Sequence, residues 1–138
     1  MKVLKSEIKS YIPHREPFIM IDNLLDIQGD TYYSDFTIDK DNLFLHNGFF
    51  KAYGIIESIC QTGAAGLSYS QQNSSNRFKD GFLGGIKNLH ILNLPKVGDR
   101  INIKVTLLRQ FENLYLMKGE TFLEATSLLS CEVKLAGI

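Results

Sequence analysis

The sequence predicts an α+β domain in which an antiparallel sheet wraps around one long buried helix. Three observations support this: apolar residues at helical spacing, several segments of alternating polarity, and small residues within the helical stretch. The helix is predicted over Ala52–Gln72. Its stripe recurs every four residues, at Ile55, Ile59, Gly63 and Leu67. Gly63 and Gly66 each cost a helix interior roughly 1 kcal/mol relative to alanine, so we expect a sheet to pack very close to them.

The remaining chain alternates between short segments and turns that suit a sheet. A short amphipathic helix is predicted over Ser6–Ile12, because Pro13 closes it. Phe18–Ile27 and Thr31–Asp39 form a predicted hairpin, and Asp41–Lys51 is an irregular aromatic stretch. After a polar loop over Ser70–Asp80, three or four further strands are predicted, from the extended segments Gly81–Leu92, Ile101–Leu107, Leu114–Leu123 and Leu129–Leu135. The Gly84-Gly85 pair predicts a bend or bulge in the first of these four.

Size and composition narrow the classes of function. The chain has 138 residues, which fits a single domain over residues 1–138. Lys plus Arg and Asp plus Glu number 15 each, which argues against a nucleic-acid binder that relies on bulk charge. Cys60 and Cys131 lie in apolar segments and are typical of buried free thiols in a reducing cytoplasm. We expect no membrane span, secretory signal, metal or cofactor.

One carboxylate lies near the start of the predicted helix, among apolar neighbours. Glu57 is predicted to lie in the first turn. Its favourable interaction with the helix dipole there, worth roughly 0.3–1 kcal/mol, would by itself explain an acidic residue at this position. Its apolar neighbours also suit it to proton transfer. Gln61 lies one turn further on the same face. Both interpretations of Glu57 remain open from its spacing.

Two histidines and the helix start are candidates to complete a site around Glu57. His46 lies in the irregular loop that leads into the helix, and His14 lies between two prolines. Free backbone N–H groups near Gly54 could hold a carbonyl oxygen. An acid, a base and oxyanion donors together suit the elimination of water from a 3-hydroxyacyl thioester.

Four segments resemble, in the same order, the 3-hydroxyacyl-acyl carrier protein dehydratases of the FabZ and FabA type. Ile12–Asp22 resembles that family's opening LPHRYPFLLVD, and Gly54–Gln61 resembles its helix start GVLILEAMAQ, with the glutamate and glutamine in step. Phe82–Leu89 resembles the strand FAGIDNARF, and Pro95–Ile101 resembles the turn PVVPGDQL. The resemblance implies a hot-dog fold, in which a curved antiparallel sheet wraps around one long central helix.

The loop before the helix departs from that family. The family carries a GHFP segment whose histidine falls on Leu43 without a gap, and on His46 only if loop residues are deleted. Asn47–Phe50 keeps an aromatic residue but none of the family's prolines. The altered loop is similar to that of divergent dehydratase-like proteins of the aryl-polyene and flexirubin pigment pathways.

The resemblance also implies roles for individual residues of a hydro-lyase. Glu57 would protonate the leaving hydroxyl and His46 would remove the α-proton, with His14 as the alternative base. Gly54 would supply a backbone donor. Four further residues are expected to bind substrate: Gln61, Phe49, Phe50 and Phe82.

The implied partners follow from the same resemblance. The substrate would be an acyl chain bound to acyl carrier protein, held by a homodimer or an oligomer of dimers, or by a heterodimer with another hot-dog protein. An acidic carrier needs cations near the entrance, and the candidates are Arg77, Lys79, Lys87 and Lys96. Two other functions remain open: a non-catalytic partner subunit or acyl-binding protein, and an acyl thioesterase in which Glu57 activates water.

Overall fold

A computed structural model describes residues 1–138 and contains one six-stranded antiparallel sheet. Its strands lie in the order β1-β2-β6-β7-β8-β5. Their bounds are β1 Asn23–Gln28, β2 Thr31–Thr37, β5 Gly81–Ile91, β6 Arg100–Phe111, β7 Leu114–Leu123 and β8 Thr126–Gly137. Two strands of two residues each, β3 Leu45–His46 and β4 Phe49–Phe50, form a separate small hairpin.

The single α-helix, α1, spans Ala52–Ser70 and packs in the concavity of the sheet. It is buried on nearly every side, and the predicted stripe residues Ile55 and Ile59 are fully buried. A 3₁₀ helix over Lys5–Ser10 occupies the place of the predicted amphipathic helix and buries Ile8. The α+β architecture with a sheet around one central helix is therefore confirmed. The structure contains no helix that could span a membrane.

Small residues allow the helix and the sheet to approach closely, as their positions predicted. A Cβ atom at Gly63 would lie 2.5 Å from the Met117 sulfur on β7. A Cβ atom at Gly66 would overlap the ring of Tyr32 on β2. The sheet contributes in the same way, because a side chain at Gly119 would overlap Ile59 of the helix.

We expect Gly66→Ala to destabilise the protein by about 1–3 kcal/mol, since Tyr32 is buried and its ring cannot yield without disturbing the core. This cost outweighs the roughly 1 kcal/mol that alanine gains over glycine in a helix interior. Gly63→Ala is the matched control, because its new methyl group crowds only the flexible end of Met117, while its 3.5 Å approach to Leu135 is an ordinary contact. Denaturant unfolding of both variants measures the difference. A Gly66→Ala protein at least as stable as the wild type would contradict the packing described.

The first predicted strand is shorter in the structure than in the sequence-based prediction. The hairpin of β1 and β2 forms as expected, but β1 begins only at Asn23. The segment before it is held by the helix instead. The Gln61 side chain on α1 donates a hydrogen bond to the Phe18 carbonyl and accepts one from the Met20 N–H. These backbone groups therefore join the chain to α1 rather than to a strand.

The stretch predicted to be irregular contains the β3–β4 hairpin. Asn47 and Gly48 both have positive φ, 51° and 80°, which suits a two-residue hairpin turn. The Phe50 N–H donates to the Pro95 carbonyl at 2.8 Å, and the Val97 N–H donates to the Gly48 carbonyl at 3.1 Å. The hairpin is thus fixed against the turn that precedes β6.

Strand β5 is an open edge of the sheet. It pairs with β8 on one side only, and its register shifts between Leu83 and Gly85, which confirms the predicted bulge. Several of its apolar side chains are exposed, including Ile86 and Ile91. An unpaired edge with exposed apolar side chains is typical of a surface that another chain covers.

Candidate active site

A cavity of about 230 Å³ lies between α1 and the edge of the sheet formed by β5 and β8. The helix contributes Glu57, Cys60 and Ala64, which lie on one face at successive turns. The other walls come from the 13–14 segment, the 78–83 segment and β8, through Pro13, His14, Phe78, Asp80, Gly81, Phe82, Leu83 and Leu135. The wall therefore combines apolar side chains with two carboxylates, Glu57 and Asp80, and one imidazole.

Glu57 is half-buried and lies beyond the first turn of α1, which contains no acidic residue. The predicted first-turn position is wrong, and the helix dipole fades within that turn, so it does not explain this carboxylate. Gln61 Nε2 donates to Glu57 Oε2 at 3.0 Å. This hydrogen bond from the next turn of α1 fixes one carboxylate oxygen of a side chain that lines the cavity.

Gln61 is fully buried and its amide is occupied by the protein itself. It donates to the Phe18 carbonyl at 2.9 Å as well as to Glu57, and its Oε1 accepts the Met20 N–H at 2.6 Å. The expected substrate contact of Gln61 is not available in this structure, because no surface of the residue is exposed. Its geometry is that of a residue that positions Glu57.

His14 is half-buried in the wall of the same cavity as Glu57. Its Nδ1 is buried and has no hydrogen-bond partner. The Arg15 guanidinium donates to the carbonyls of Ile12 and His14, at 3.0 and 2.6 Å, and shapes the loop around the ring. A buried polar atom without a partner is uncommon, and no group of the protein itself satisfies this one.

His46 lies elsewhere, on the exposed β3–β4 hairpin, and does not line the cavity that contains Glu57. Phe49 is its cross-strand partner and lies on the outside, where the Lys96 ammonium is 5.7 Å from its ring centre. Within one chain the structure therefore groups His14, and not His46, with Glu57.

Three other expected site residues have distinct environments. Phe82 lines the cavity, as expected of a substrate-binding residue. Phe50 does not, because it is fully buried in the core against Phe36. The Gly54 N–H donates to the Lys51 carbonyl at 2.9 Å, so this expected oxyanion donor is already engaged within the helix start.

Several residues that line the cavity were not predicted from the sequence to belong to the site. Cys60 and Ala64 follow Glu57 at helical spacing, and that spacing was the signal that could have identified them. Burial, and then the charge of Glu57, raise the pKa of the Cys60 thiol, so it remains neutral and is a wall residue rather than a nucleophile. Phe78 and Asp80 come from a polar loop whose path the sequence pattern does not indicate.

A separate group of buried carboxylates stabilises the junction of β1, β2 and β6. Asp35 accepts from the Arg100 Nε at 2.9 Å, and Asp22 accepts the Thr37 N–H at 2.8 Å. Burial raises the pKa of Asp22. These carboxylates are engaged with the protein and lie outside the cavity that contains Glu57.

Comparisons with a family profile and with individual related sequences agree with one another. The sequence profile of the ApeP-like family, described as ApeP dehydratase, matches residues 6–136. A 3-hydroxyacyl-[acyl-carrier-protein] dehydratase FabZ from Bacillus subtilis is 27% identical over 135 residues, which cover 94% of this chain and 92% of the relative. The FabZ of Oceanobacillus iheyensis is 29% identical over 109 residues, which cover 75% and 76%.

The fold is similar to those of solved structures. The dehydratase heterocomplex ApeI:P from Xenorhabdus doucetiae superposes with a TM-score of 0.86 at 18% identity, covering 95% of this chain and 90% of the matched chain. A hypothetical thioesterase from Streptococcus pneumoniae, solved with coenzyme A, superposes with a TM-score of 0.66 at 11% identity, covering 94% and 90%. These likenesses establish a hot-dog fold.

Proposed function

Because the chain belongs to the ApeP-like dehydratase family, we propose that it removes water from a 3-hydroxyacyl thioester to give the trans-2-enoyl thioester. A dehydratase of this kind is a hydro-lyase. The FabZ relatives are named for substrates held on acyl carrier protein, and we extend that substrate class to this chain. The observation that carries the proposal is the shared cavity of Glu57 and His14, with Gln61 holding the carboxylate.

In the proposed reaction the two side chains handle one proton each. His14 removes a proton from C2 of the substrate, and the C2–C3 double bond forms as the C3–O bond breaks. Glu57 donates its proton to the departing hydroxyl, which leaves as water. A proton then returns from the imidazolium to the carboxylate and resets both groups. The buried side chains of Ala64 and Leu135 form an apolar wall beside the reacting carbons.

The test is turnover by the purified wild-type protein. A 3-hydroxybutyryl thioester should lose water, and a crotonyl thioester should gain it, on a carrier protein or on a pantetheine arm. Absorbance of the enoyl thioester reports both directions. Release of free thiol with the 3-hydroxyl group intact would instead identify a thioesterase, which uses the same carboxylate to activate water.

We also propose that β5 pairs with the corresponding strand of a second hot-dog chain, either another copy or a different protein. The open edge of β5 and its exposed apolar side chains support this pairing. The heterocomplex similar in fold to this chain supports the mixed form. A protein that is inactive alone and active after co-expression with a second hot-dog protein would be a partner subunit. Light scattering of the isolated chain distinguishes a monomer from a dimer.

The setting of this proposed enzyme is the cytoplasm. Cys60 and Cys131 are both buried free thiols, which suit a reducing compartment.

A further inference from the structure

The outer face of the sheet, which is turned away from α1, carries a groove of about 430 Å³. The groove crosses β6, β7, β8 and β5, and it shares no lining residue with the cavity that contains Glu57. Four neighbouring strands span three strand spacings, so the crossing is about 14 Å long. Because cross-strand partners lie on the same face of a sheet, the strand register gives the rows of side chains along this groove.

One row of the groove carries two cations on either side of a leucine. Arg109 of β6 and Lys134 of β8 are the cross-strand partners of Leu116 on β7. The row ends at Gly85 of β5, so no acid belongs to it. Both cations are exposed, and neither forms a salt bridge. Their backbones are about 10 Å apart, at two strand spacings, so both side chains can reach one anion above the leucine.

Three other lysines of this face have an acid as their cross-strand partner. Lys104 of β6 faces Glu120 of β7. Lys118 of β7 and Lys87 of β5 both face Glu132 of β8. Glu132 is the one acid that lines the groove, and these two lysines balance its charge. The uncompensated positive charge of the groove therefore lies in the row that contains the leucine.

The next row towards the turn between β6 and β7 is apolar. Phe111 pairs with Leu114, and both side chains are exposed and line the groove. Residues two apart on a strand are separated by about 7 Å, so this row begins about 7 Å from the two cations. Apolar side chains beside a few convergent charged groups are typical of a small-molecule site. The charge and the apolar row together suit a ligand with an anionic head and an apolar chain.

The size of the groove sets the size of that ligand. At about 30 Å³ for a group the size of a water molecule, its volume holds about 14 such groups. A saturated carboxylate of about ten carbons has about 12 heavy atoms and is about 12 Å long at the extension per bond of a peptide chain. It therefore fits both the volume of the groove and its length across the four strands.

We propose that this groove binds a free fatty carboxylate, with its head between Arg109 and Lys134 and its chain against Phe111 and Leu114. A guanidinium can hold a carboxylate through two parallel hydrogen bonds, which an alcohol or an ester does not offer. The site is independent of the proposed dehydratase function, because the groove and the cavity that contains Glu57 have separate walls.

The experiment is calorimetry of the whole protein with decanoate, decanol and decylamine, which share one chain and differ in the head group. In the wild type we expect the Kd of decanoate to be about tenfold lower than that of decanol, the effect of about one hydrogen bond to a charged group. Arg109→Gln and Lys134→Gln should each raise the Kd of decanoate severalfold and leave that of decanol unchanged. Arg109→Lys should restore part of the difference, and Phe111→Ser should weaken both ligands.

Lys104→Gln is the matched control, because it removes a lysine of the same face that does not line the groove. It should keep the wild-type preference for decanoate over decanol. Arg109 and Lys134 have no salt bridge to lose, so thermal melts of their variants should stay near that of the wild type. The preference should also shrink as salt is added, since exposed charges are screened.

Three results overturn the proposal. The first is a wild-type protein that does not bind decanoate or binds decanol or decylamine equally well. The second is wild-type affinity for decanoate in both Arg109→Gln and Lys134→Gln, which would place the chain elsewhere, for example in the cavity that contains Glu57. The third is an equal loss of decanoate binding in Lys104→Gln, which would show that only the overall charge of the face attracts the ligand.

Discussion

Glu57→Gln should lower kcat for hydration of a crotonyl thioester by about 10³, within the range that general acid catalysis contributes. The substitution keeps the shape of the side chain but removes the proton that would be given to the leaving hydroxyl. The amide oxygen of the new residue can still accept the Gln61 Nε2 hydrogen bond, so the geometry of the wall should persist. Initial rates and thermal melts on the same preparations measure both effects.

Glu7→Gln is the matched control for this experiment. Glu7 is exposed on the 3₁₀ helix, and its side chain makes no salt bridge, so its loss should leave both rate and melting temperature near the wild-type values. If Glu57→Gln keeps kcat within about tenfold of the wild type while folded, the carboxylate is not the catalytic acid. Its fixed position would then need another explanation.

The sequence was sufficient to predict the architecture, because burial leaves a periodic pattern. Ile55 and Ile59 lie at helical spacing and are fully buried, while Tyr32 and Phe36 alternate along β2 and face the core. The small residues at Gly63 and Gly66 predicted the close approach of a sheet. The two-residue turn at Asn47 and Gly48 was also readable, since Asn-Gly favours a hairpin, but the aromatic residues around it concealed the signal.

The candidate site was less predictable, since it depends on how distant segments pack. Glu57 and Gln61 could be placed on one helix face from their spacing. That His14 joins them follows from Gln61 holding the backbone of Phe18 and Met20, which brings the preceding loop over the helix. No local pattern encodes such a long-range contact. Phe50 shows the converse, because an aromatic residue of the core and one of a substrate wall have the same sequence signature.

His14→Asn should lower kcat by about 10²–10⁴, since asparagine cannot take up the C2 proton. His46→Asn should retain most of the activity if the base belongs to the cavity that Glu57 lines. His14 Nδ1 has no hydrogen-bond partner, so the substitution breaks no bond there, and a thermal melt near that of the wild type is expected. The opposite result, an inactive His46→Asn and an active His14→Asn protein, would assign the base to the β3–β4 hairpin.

Mixed dimers decide whether the two groups act within one chain. If His14 and Glu57 of the same chain form a site, a dimer of one His14→Asn and one Glu57→Gln subunit contains two broken sites and remains inactive. If the base reaches the carboxylate across the interface, the same mixed dimer contains one intact site and regains about half of the wild-type activity. A mixture of His46→Asn and Glu57→Gln subunits applies the same logic to His46. Recovery in that mixture, together with an inactive His46→Asn homodimer, would show that the exposed hairpin completes the site of a neighbouring subunit.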